Sequence, residues 1–152
     1  MTYPAKTIAN YFIFKSKSES LSDLTPMKLL KLVYIAHGWH LAIKNEPLIF
    51  ESIDAWKYGP VIETLYHEFK RYKNNPISEL TQAPSVPDED ESTRKILNDV
   101  WSKYAIHTGV QLSNWSHEPG SPWHQTWHDK NGKSYNGLPI SNQIIQEYFS
   151  KI

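Results

Sequence analysis

The chain has 152 residues, 39% apolar and 21% charged, enough for one globular domain with a sizeable core. It contains no cysteine, which excludes disulfides, thiolate catalysis and thiolate-bound metal. Sixteen basic residues against sixteen acidic ones give zero formal charge, which argues against a non-specific nucleic-acid binder whose affinity rests on excess lysine and arginine.

A first helix is expected from Pro4 to Lys17, with Ile8, Ala9, Phe12 and Ile13 on its apolar stripe and Lys6, Thr7 and Asn10 outside. The opening residues are amphipathic and short and carry no apolar signal core, and no run nears the roughly 20 apolar residues of a membrane span. The expected location is therefore the cytoplasm. Thr25 can cap a second helix, with Pro26 at its first position. That helix should run to about Ile43 with Leu29, Leu32, Val33, Ala36 and Trp39 on one face; Leu30, Tyr34 and Ile35 widen the face, so it should be the central strut of the core.

Leu48–Phe50 and Ile53–Trp56 read as short extended segments, which either pair as a hairpin or lie at the domain edge. The chain then turns at Gly59-Pro60. Glycine takes backbone angles that a side chain forbids, and proline suits the first turn of a helix, so a third helix is predicted from Pro60 to about Tyr72. Lys70, Arg71 and Lys73 fall at its C-terminal end, where the helix dipole favours cations without any ligand. The acidic run Asp88–Glu91 reads as the start of a fourth helix, Glu89 to Ile106, whose stripe is Ile96, Leu97, Val100, Trp101 and Tyr104. A short helix follows from about Val110 to Ser116. Residues 117–140 read as loop, with a turn at Asn131-Gly132, and Ser141 caps a final helix with Ile144, Ile145, Tyr148 and Phe149 inward. The expected fold is a single mainly α domain, 1–152, of about five or six helices with a small β element near residues 48–58.

Chemical motifs are sparse. His37 and His40 share a helix face, and so would His124 and His128 if helical, but neither pair belongs to an H-E-x-x-H motif. A hydrogen-bonded core histidine is the commoner explanation for His37. Ser116-His117-Glu118 holds three triad residue types side by side, but adjacent residues rarely converge and there is no G-x-S-x-G elbow. Gly-rich phosphate loops are absent, so no catalytic residue, metal or cofactor is assigned. Aromatic residues make up 13% of the chain, with six Trp and nine Tyr. Most of the tryptophans are expected in the core, Trp115 among them. Tyr58, Pro60, His117, Trp123, His124 and Trp127 stand out as a candidate partner-binding set, because they lie at the corner and in the loop-rich region, where recognition concentrates and aromatic anchors dominate.

Three motifs in this order resemble a known family: K-L-x-K-L-x-Y-x-A-H from Lys28 to His37, A-W-K-Y-G-P-V from Ala55 to Val61, and L-S-x-x-x-H from Leu112 to His117 with Pro122-Trp123 behind it. The sequence is similar to the Panacea domain, the SocA-like antitoxin domain also seen in phage-associated proteins, over about residues 5 to 150. The resemblance implies an antitoxin that is not an enzyme and that neutralises a cognate toxin by direct contact. It also implies that His117 hydrogen-bonds backbone and fixes its loop. Two other classes are carried beside it: a small metal-dependent hydrolase built on the histidine pairs, and a DNA-binding regulator of its own operon.

Overall fold

The computed structural model describes residues 1–134 and 137–152. Two long helices organise it: α1, Ala5–Ser18, and α2, Pro26–Lys44. The Thr25 hydroxyl accepts from the Lys28 N–H at 3.3 Å, and Asn45 ends α2 in the left-handed region at φ 58°. Leucine, isoleucine and valine occupy α2 nearly all round. It is accordingly covered on most sides, by α1, by α4 (Glu91–Tyr104), by α5 (Gly109–Ser116) and by α7 (Asn142–Phe149). At Gly38, the missing side chain lets the Phe149 ring of α7 lie directly against the α2 backbone.

The α1 stripe holds as expected, but Thr7 and Asn10 are buried rather than outside. The long segment 76–90 folds back over that face of the helix. Asn10 pins it, accepting from the Thr81 N–H at 2.8 Å and donating to the carbonyls of Thr81 and Ala83. At the end of this segment Asp90 caps α4, so the acidic run does begin that helix. A capping box at Thr108 and Gln111 starts α5.

The corner differs most from expectation. Ile53–Trp56 is strand β1, Gly59–Val61 is strand β2, and the two pair antiparallel as a hairpin around Lys57-Tyr58. Pro60 therefore sits in a strand opposite Ala55, and the next helix, α3, begins only at Glu63 and ends at Phe69 before a 3-10 turn, Lys70–Tyr72. Pairing alternates along an antiparallel ladder, so Pro60 falls where N–H and C=O face away from β1. Its missing N–H costs nothing there, on an edge strand. Gly59 has φ 119°, open to glycine and strained for other residues. Leu48–Phe50 does not join this hairpin: its backbone pairs with Tyr3 instead.

The predicted loop 117–140 is partly structured. Pro122–His124 forms a single helical turn, α6, continuing as a π turn through Gln125–Asp129. Asn131 takes a positive φ of 59° at the predicted turn, and Leu138–Ile140 forms strand β3, which completes the sheet in the order β2-β1-β3. Seven helices and three strands are thus present among the described residues, a mainly α fold with a small β element.

Candidate functional site

The β1–β2 hairpin is held from below by three side chains. Trp123 Nε1 donates to the Trp56 carbonyl at 2.6 Å, Ser113 Oγ to the Tyr58 carbonyl at 3.4 Å, and Lys31 Nζ to the Pro60 carbonyl at 3.4 Å. Alternate carbonyls along the strand and turn are thus gripped by α6, α5 and α2 in turn. His117 closes the arrangement. Its Nδ1 donates to the Ser113 carbonyl at 2.5 Å and its ring centroid lies 4.2 Å from that of Trp123. The histidine fixes its loop through backbone, as the resemblance implies.

Of the six predicted residues, His117, Trp123 and Trp127 are in direct contact, Tyr58 and Pro60 lie on the hairpin, and exposure is unequal. Pro60 and Trp123 are buried, His117, His124 and Trp127 are half-buried, and Tyr58 is 70% exposed at the hairpin tip. Trp127 stacks on Trp123 at 5.7 Å, and His128 packs edge-on to Trp123 and beside His124. Trp101 is also buried, while Trp39, Trp56 and Trp115 pack partly buried against the core.

Lys31, Ser113 and Trp56 are members of this site that sequence reasoning did not single out. The signal for Lys31 was present: a lysine between Leu30 and Leu32, on a helix apolar nearly all round. Its side chain is 3% exposed. Burial alone pulls its amine down from 10.5 to about 8, and among the described residues no carboxylate stands within 4 Å of it. Lys28, one turn earlier and equally buried, is paired with Asp23 at 2.9 Å and the Ala105 carbonyl at 2.5 Å.

The histidine pairs do not form a metal centre on this geometry. His37 accepts at Nδ1 from the Leu48 and Ile49 N–H groups, which fixes the tautomer, and donates from Nε2 to Asn142 Oδ1 at 2.9 Å. His40 donates from Nδ1 to the Glu46 carbonyl. His124 and His128 lie side by side, but among the described residues no three potential ligands converge. Burial drives His37 down to about 4. Because this folded value lies below the solution value, the stability tied to the neutral ring is full above pH 6.5 and lost as pH falls toward 4, by about 3 kcal/mol. In an NMR titration the His37 ring should stay silent from pH 8 to roughly pH 5; a midpoint near 6.5 would contradict the burial.

Ser116, His117 and Glu118 do not form a triad. Ser116 Oγ and His117 Nδ1 both donate to the Ser113 carbonyl and so share an acceptor. Arg71 faces Glu79 and lies over the Tyr72 ring, which ties part of the basic cluster into local contacts. No described helix is long and apolar enough to cross a membrane.

The class defined by this geometry is a small helical domain that holds an aromatic-tipped hairpin rigidly at its surface. The chain belongs to the family of SocA-like antitoxins with the Panacea domain, whose model matches residues 29–124. That span encloses Lys31, the hairpin, Ser113, His117 and Trp123. The antitoxin SocA of Caulobacter vibrioides (strain NA1000 / CB15N) is 28% identical over 158 residues, covering 95% of this chain and 81% of that protein. No solved structure matches the chain significantly.

Proposed function

We propose that this chain is an antitoxin that acts in the cytoplasm by binding a cognate toxin directly, without turnover, at the surface led by Tyr58. His117, His124 and Trp127 flank this surface, and Pro60 and Trp123 support it from beneath. Family membership supports the antitoxin role. The observation that carries the surface is the triple grip on the hairpin carbonyls, which presents an exposed ring on a backbone already fixed. A preorganised aromatic loses little entropy on docking, and anchors of this kind dominate interface energies.

The test is growth of cells expressing a toxin encoded beside this gene, with and without this protein. Suppressed lethality is expected; unrelieved killing with both proteins present refutes the antitoxin reading. Tyr58→Ala should weaken toxin binding by about 30-fold, the scale of a hot-spot anchor, without lowering the melting temperature. Unchanged affinity in calorimetry would place the interface elsewhere.

A further inference from the structure

Lys28 and Lys31 make an internal comparison. They sit one turn apart on α2, at the same depth. One has a carboxylate and a carbonyl at short range; the other has a single carbonyl at 3.4 Å, leaving most of its donor capacity unused. Buried ammonium groups are normally paired, because an unpaired charge removed from water is expensive. The spare donors lie against the hairpin. Lys31 Nζ and His117 Cε1 both come within 3.4 Å of the point where a side chain on Gly59 would begin, so Lys31 is covered by the one hairpin residue without a side chain, next to the exposed Tyr58.

Building on the antitoxin reading above, we infer that Lys31 is the receptor for a carboxylate presented by the toxin, an acidic side chain that reaches it beside Gly59 and replaces the long contact to the Pro60 carbonyl. The cation is desolvated and positioned before the partner arrives, so the incoming anion does not have to strip it of water. The low amine value in the free protein fits a group whose counter-ion arrives from outside.

The experiment measures toxin binding by the full chain carrying Lys31→Met, with Lys31→Gln as a second variant should methionine perturb packing. A loss of tenfold or more is expected in a variant that remains folded; a smaller loss overturns the inference. A structural role alone could weaken binding too, so the Lys31 side-chain NMR resonances are titrated free and in the complex. Titration should move from about 8 in the free chain to the ordinary lysine range of about 10.4 or higher in the complex. An unmoved midpoint overturns the inference even if binding falls. Should the wild-type chain bind no toxin, the antitoxin reading fails and a separate probe decides the site. Acetate, but not acetamide, should then shift the Lys31 resonances saturably. No shift overturns the carboxylate site.

Discussion

Gly38→Val is expected to destabilise the fold by about 3 kcal/mol, near the upper end for overpacking a filled core. A side chain at position 38 would sit inside contact distance of the Phe149 ring. That ring cannot step aside freely, because it is 4% exposed and packs edge-on to Tyr34 and Trp115. Relief therefore requires α7 to move away from α2. Glycine in a helix interior costs up to about 1 kcal/mol, so its place in the middle of α2 reflects the close approach of two helices. In a chain of this size the melting temperature should fall by about 6–12 °C. In a Phe149→Leu background the same substitution should cost less than half as much, since the two residues share one space. Additive losses in that cycle would show that the clash is not the cause.

How legible each element is in the sequence depends on how far its partners lie along the chain. α2 and α4 were legible because their apolar spacing and their caps at Thr25 and Asp90 are local. The hairpin was not, because proline after glycine is an equally good helix opening, and only the pairing with β1 shows why its missing N–H is harmless. Strand β3 was hidden by its brevity and by Pro139, and it exists because β1 offers it a partner from far upstream. Thr7 and Asn10 were misplaced for the same reason, since the segment that buries them follows more than 60 residues later. At the site, His117, Trp123 and the corner were visible as motifs, while their joint task was not. That task is to hold the Trp56, Tyr58 and Pro60 carbonyls, and main-chain acceptors leave no mark in a sequence. Lys31 could have been found by asking why a lysine interrupts a fully apolar face.

Lys31→Met should raise stability at pH 7, by about 3 kcal/mol, the cost of holding an ammonium whose burial lowers its affinity for protons from 10.5 to about 8. Methionine is unbranched and of similar reach, so it fills the same space without a charge. The direction with pH follows from the folded value lying below the unfolded one. Protonation favours the unfolded chain, so the wild type carries its full deficit below pH 8 and recovers it as pH rises toward 10.5. The unfolding free energies of wild type and Lys31→Met should therefore differ most at neutral pH and converge between pH 8 and 10.5. Taking the difference removes the contribution of the buried tyrosines Tyr3 and Tyr34, whose hydroxyls are pushed upward and which act on both proteins alike. His117 and Lys31 both lie against Gly59, and the histidine too is present in both. A gain in stability beside a loss of toxin binding would mean that α2 keeps an uncompensated cation at a cost to the free fold, for use at the interface. A Lys31→Met chain that is less stable than wild type at pH 7 would show instead that the bond to the Pro60 carbonyl outweighs the buried charge.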